Sequence, residues 1–135
     1  MATIGIDCQV ILDGQGYWIE PHSYEMQRPR LRKAAVTKGG GERYVDPGPG
    51  KRVWSFTVLA ANDLLRYDGK PTGLTGQQYR DLLAASYAKI GPIPFIDPHG
   101  DAWNVHFDDL VESLPDPRTQ TSGSAYLLAV TLIEA

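Results

Sequence analysis

Hydrophobic and polar residues alternate from near the start of the chain. Ile4, Ile6, Cys8, Val10 and Leu12 fall on one face of a period-two pattern, with Gly5, Asp7 and Gln9 on the other, which predicts a strand. Asp13-Gly14-Gln15-Gly16 reads as its hairpin turn, because the glycines accept positive φ. A return strand through Tyr17, Trp18 and Ile19 ends at Pro21. Arg52 to Ala60 alternates more strongly: Trp54, Phe56, Val58 and Ala60 lie on one face, Val53, Thr57 and Leu59 on the other. Ala125 to Glu134 does the same, with Tyr126, Leu128, Val130 and Leu132 opposed to Leu127, Ala129 and Ile133. Apolar or β-branched residues on both faces predict central strands buried on both sides. Ile93–Ile96 and Ala102–Phe107 read as two more strands, joined by the turn Asp97-Pro98-His99-Gly100-Asp101.

One segment changes period. Thr75-Gly-Gln-Gln78 has the spacing of a capping box, in which Thr75 caps the Gln78 amide and the Gln78 side chain reaches back. Behind it Tyr79, Leu82, Leu83, Tyr87 and Ile90 form a stripe at helical spacing, and Gly91-Pro92 stops it. The expectation is a single helix over about 75–90. With roughly six to eight strands, this gives a mainly β, α+β fold over one domain, residues 1–135. The architecture expected is a two-sheet β-sandwich or a partly closed barrel, flanked by that helix.

Composition matters at one place. Glycine and proline number 14 and 10 of 135 residues, and eight of them fall between Pro29 and Gly50. The periodicity fades there, over about 26–51. A structureless stretch of that length is uncommon in a compact domain unless it is functional. The alternative is an extended hairpin, with strands Leu31–Thr37 and Arg43–Val45 and the triple glycine Gly39, Gly40 and Gly41 near its tip.

Charge narrows the function classes. Thirteen Lys and Arg against sixteen Asp and Glu give a net charge of -3, too mild to imply nucleic acid or an anionic membrane as partner. The single cysteine excludes an internal disulfide framework, and the first residues have no signal-peptide pattern, so synthesis in a reducing cytosol is expected. The longest apolar run, Tyr126 to Val130, is far below a membrane span of about 20 residues.

Candidate chemistry is thin. Gly48-Pro49-Gly50-Lys51-Arg52 lacks both the first glycine and the Ser or Thr of a phosphate-binding loop, so it reads as a turn feeding a strand. Asp97, His99 and Asp101 have a spacing that a metal would accept, yet a hairpin loop satisfying its own amides is the better account. No G-x-S-x-G pattern surrounds a serine, and Cys8 lies on the apolar face of its strand. The expectation is no enzyme, no cofactor and no metal. What stands out instead is charge separation. Arg28, Arg30, Arg32 and Lys33 make a basic ridge, while Asp108, Asp109, Glu112 and Asp116 cluster elsewhere. Opposite charges on distant segments suit head-to-tail contact between copies; the alternative is two unrelated solvated surface patches.

In pattern and element order the chain resembles the small β-sandwich domain of tailed-phage tail proteins, above all distal-tail (tail-tip or baseplate-ring) proteins and their tail-tube relatives. The resemblance rests on a strand-rich start, the long Gly/Pro-rich excursion, Arg52-Val-Trp-Ser-Phe-Thr-Val-Leu59, and the helix from Tyr79 to Tyr87. It continues through Phe95-Ile-Asp97-Pro-His-Gly100 with its alternating strand, and ends in the strand closing Val130-Thr-Leu-Ile-Glu134. It implies a virion structural protein whose copies form a hexameric ring around the tail lumen, with other tail proteins (tube, tape-measure, hub or tail-tip) as partners. It also implies that the segment from Met26 to Lys51 reaches a neighbouring subunit or ring. The expected inter-subunit contacts are Arg28, Arg30, Arg32, Lys33, Gly39, Gly40, Gly41, Arg43, Tyr44 and Lys51 on one side, and Asp108, Asp109 and Glu112 on the other. The rival expectation is a small-ligand or carbohydrate-binding β-sandwich, for which Tyr17, Trp18, Tyr44 and Trp103 near turns supply stacking rings.

Overall fold

The computed structural model describes residues 3–36, 42–61, 64–66, 69–113 and 125–135, of which 31–36, 42–49 and 125 are described by backbone alone. Among these residues, nine strands and one helix follow in the order β1 (Val10–Leu12), β2 (Gln15–Ile19), β3 (Glu25–Gln27), β4 (Arg30–Val36), β5 (Glu42–Pro49), β6 (Val53–Ala61), α1 (Gly76–Tyr87), β7 (Ile93–Ile96), β8 (Ala102–Ser113) and β9 (Ala125–Glu134). The mainly β fold with one flanking helix is what the periodicity predicts. Seven strands form one antiparallel sheet in the order β2-β1-β7-β8-β9-β6-β3, and β2 also pairs with β6. That extra pairing, Trp18 with Leu59 and Ile19 with Val58, closes six of the strands into a circuit of hydrogen bonds.

The core lies inside this circuit. Trp54, Phe56, Val58 and Ala60 of β6 are buried, as are Leu128, Val130 and Leu132 of β9, opposite them in register. Phe95 of β7 stacks on Phe56 at 5.8 Å and meets Trp54 edge-on at 5.5 Å. The helix closes the open side: Tyr79 and Leu83 enter the core, and the Tyr79 ring lies 6.0 Å from that of Tyr17. The capping box forms as its spacing requires. Thr75 Oγ1 accepts from the Gln78 amide at 3.2 Å, and the Thr75 amide donates to Gln78 Oε1 at 2.8 Å.

Several boundaries differ from the sequence expectation, each for a local reason. Gly5, at φ +86°, folds residues 3–8 into a turn in which the Ile6 and Asp7 amides donate to Thr3 C=O, so the first strand begins only at Val10 and Ile6 is exposed. The first hairpin turns on two residues, Asp13 and Gly14, both at positive φ, with Leu12 opposite Gln15. The helix ends at Tyr87, so Leu82 and Tyr87 sit at the margin of its buried stripe and Ile90 lies fully exposed beyond it. β8 runs six residues past Phe107, carried through a bulge that leaves Asp108 out of register. The second faces of β6 and β9 are not buried: Val53, Thr57, Leu59, Leu127 and Ile133 are half-covered, and Ala129 is exposed. They form the outside of the circuit, which no described element covers. The segment 114–124, and with it Asp116, lies outside the described residues.

Candidate assembly surface

The low-periodicity excursion is a hairpin. β4 pairs antiparallel with β5, with Lys33 opposite Val45, Ala34 opposite Tyr44 and Ala35 opposite Arg43, and neither strand joins the larger sheet. At its base the Gly50 amide donates to Pro29 C=O, and Arg28 Nε donates to Gly50 C=O at 3.2 Å. Of the expected contact residues, Arg28, Arg30 and Lys51 are exposed around this base. Arg32 and Lys33 lie within β4, and Arg43 and Tyr44 within β5. Gly39, Gly40 and Gly41 fall outside the described residues. Gly48-Pro49-Gly50-Lys51 ends β5 and feeds β6, with no helix to aim amides at a phosphate.

The acidic residues belong to a different part of the fold. Asp108, Asp109 and Glu112 are all exposed on the distal half of β8. Asp109 Oδ1 accepts from the Leu110 amide at 2.9 Å. Glu112 pairs within the chain with Arg80 of α1 at 2.7 Å, and that hydrogen bond, with the Glu112 charge, holds the Arg80 pKa above its ordinary value. The Arg80 guanidinium also lies 5.3 Å over the Tyr126 ring, so it straps the helix to β8 and β9. The basic and acidic residues thus belong to separate elements, β4 and the distal half of β8.

The remaining candidates resolve into structure. Asp97, buried, accepts from the His99 and Asp101 amides through Oδ1 at 3.0 and 2.9 Å, and from Trp103 Nε1 through Oδ2 at 3.1 Å. Both carboxylate oxygens thus brace the β7–β8 turn. Among the described residues no group of three or more His, Cys, Asp or Glu is placed to hold a metal ion. Cys8 is buried, and burial first, the Asp7 charge second, push its thiol up to about 11.

Two of the four rings proposed for ligand stacking, Tyr17 and Trp103, are engaged within the fold, Trp18 is half-buried, and the Tyr44 side chain lies outside the described residues. Tyr17 is buried rather than exposed, because it is the inward residue of β2. Trp103 carries the Arg52 guanidinium at 4.4 Å over its face. Arg52 in turn pairs with Glu134 at 3.1 Å, and its backbone amide donates to the same carboxylate, lowering the Glu134 pKa.

Two features have no counterpart in the sequence reading. Asp7 and Arg66 pair at 2.6 Å beside an open cleft of about 280 Å³, lined also by Gln15, Thr72, Leu74 and Tyr79. Residues so far apart in the chain carry no local pattern that announces their meeting. The second is the length of β8 past β7, hidden because Asp108 interrupts the alternation at the bulge.

No helix among the described residues is long and apolar enough to cross a membrane. No family model matches the chain, and neither does any curated protein. Among solved structures, it is similar to a chain from the tail of an empty GTA particle, computed with helical refinement under C6 symmetry. The two share 12% identity at a TM-score of 0.45, over 99% of this chain and 95% of that one.

Proposed function

We propose that this chain is a non-enzymatic structural subunit of a phage tail or a related tail-like particle. Its 135 residues act as one domain, and copies assemble head-to-tail into a ring around a lumen and stack on other tail proteins. The observation that carries the reading is the β4–β5 hairpin, which among the described strands pairs only with itself and whose β4 sequence is basic. A two-stranded ribbon is marginal in water by itself and is expected to gain its stability from contacts outside its own sheet. The acidic distal half of β8 supplies a surface of opposite charge on a separate element, which is the arrangement a heterologous contact needs. The element order that resembles distal-tail and tail-tube proteins supports the same role, and a hexameric ring is the copy number it implies. No step in this function requires a cofactor.

The expected outcome is an assembled mass near six times 14.9 kDa, or a polymer of such rings, in light scattering at high concentration or with tail partners added. Replacing residues 30–49 by a short glycine link should abolish assembly and leave the monomer folded, since Pro29 and Gly50 already hydrogen-bond to one another. A chain that stays monomeric with tail partners present, or one that assembles equally well without the hairpin, overturns the reading.

A further inference from the structure

Among the described residues, the distal half of β8 is an open sheet edge. β7 covers β8 only as far as Val105, which faces Ile93, while β9 follows it on the other side to Ser113. Backbone polar groups of an antiparallel strand point alternately to its two neighbours. The Ala135 amide donates to Asn104 C=O, and the Glu134 amide donates to Arg52 C=O on the opposite side, which fixes the phase of β9. Asp109, Val111 and Ser113 therefore turn toward their partners Thr131, Ala129 and Leu127, and Leu110 and Glu112 turn their N–H and C=O groups away. Beyond the Asp109 carboxylate beside the Leu110 amide, no described group meets that edge. Such an edge is a template for an added strand.

The chemistry of the edge selects what it takes. From His106 to Ser113 it carries Asp108, Asp109 and Glu112, the last paired with Arg80 of α1, and no Lys or Arg of its own. Two such edges repel one another, so a symmetric β8–β8 pairing is disfavoured. The hairpin offers two outer edges. β5 carries Pro47 and Pro49, which lack an N–H, and the acidic Glu42 and Asp46. β4 carries no proline, has Arg30, Arg32 and Lys33, and its seven residues come within one of the eight-residue length of the open edge.

We propose that β4 of a second copy of this chain adds to the open edge of β8, so that the sheet continues from one subunit into the next by backbone hydrogen bonds. The inference rests on the head-to-tail assembly proposed above and adds its mode, its polarity and its two strands. The contact is heterologous: each subunit gives β4 to one neighbour and receives β4 from the other.

Hydrogen exchange of the wild-type chain, monomer against assembly, tests this directly. On assembly the Leu110 and Glu112 amides should exchange at least about tenfold more slowly, while the Asp109 and Val111 amides, already paired to β9, change little. The double variant Asp108→Lys/Asp109→Lys should weaken assembly by about tenfold or more at low salt, and adding Arg30→Glu/Arg32→Glu should restore it. An assembly in which Leu110 and Glu112 exchange at monomer rates overturns the strand addition and leaves the ring reading standing. So does a charge swap that fails to rescue. A chain that does not assemble at all overturns both.

Discussion

At the scale of single residues, what the sequence displays best is whether a side chain lies inside. The inward set of β6, Trp54, Phe56, Val58 and Ala60, is legible from alternation alone, and every one is buried. Ile6 fails the same reading because Gly5 at φ +86° breaks the strand, and a glycine in sequence does not announce which φ it takes. Cys8, inside, has a consequence for pH. In the unfolded chain its thiol ionises at the ordinary value of 9.0, in the folded chain at about 11. Between those values the folded state binds more protons, so stability falls as pH rises through that window. Buried Tyr17, whose pKa is also raised by burial, contributes in the same direction higher up. Urea midpoints at pH 8 and pH 10.5 should therefore separate for the wild type, and Cys8→Ala should narrow the separation.

Elements are legible where one local rule dominates. Thr75 and Gln78 form their reciprocal cap because the spacing leaves little else for a Thr-x-x-Gln to do before an amphipathic run. Thr75→Ala should cost about 1 kcal/mol of unfolding free energy in denaturant titration, the usual loss on removing an N-cap hydroxyl, with the circular-dichroism spectrum of the folded state unchanged. Less was legible where partners are distant. The outer residues Leu127, Ala129 and Thr57 look like core in sequence because they are apolar or β-branched. Among the described elements none is packed over them, since α1 sends Tyr79 and Leu83 into the core instead. The basic ridge and the acidic cluster could be recognised as separate, but that the first belongs to a self-paired hairpin and the second to an unfinished edge depends on which strand stops first. That information lies in β7, not in either charged segment.

For the whole molecule, the pairing of β2 with β6 makes the fold cooperative around one circuit, and stability should follow it. Amides shared by β6 and β9, nine pairs in unbroken register from Val53–Ile133 to Ala61–Ala125, should be the slowest to exchange in the monomer. Amides of the three-residue β3 and of β4 and β5 should exchange orders of magnitude faster, because those strands open without breaking the circuit. Uniform protection across hairpin and circuit would contradict this division. Most of the circuit was readable as strands; its closure was not, because it is short: the pairs Trp18–Leu59 and Ile19–Val58, continued by the Glu20 amide donating to Thr57 C=O.

The hydrogen bond between Gly50 and Pro29 also makes the hairpin a cassette. The chain leaves the sheet and returns to it at one point, so the entropy of closing whatever lies between grows only slowly with its length. Sequence can be exchanged, shortened or extended there without moving a residue of the circuit. A lineage built on this fold can thus acquire new contact specificities by swapping one ribbon, and an engineer can graft a foreign peptide at the same place.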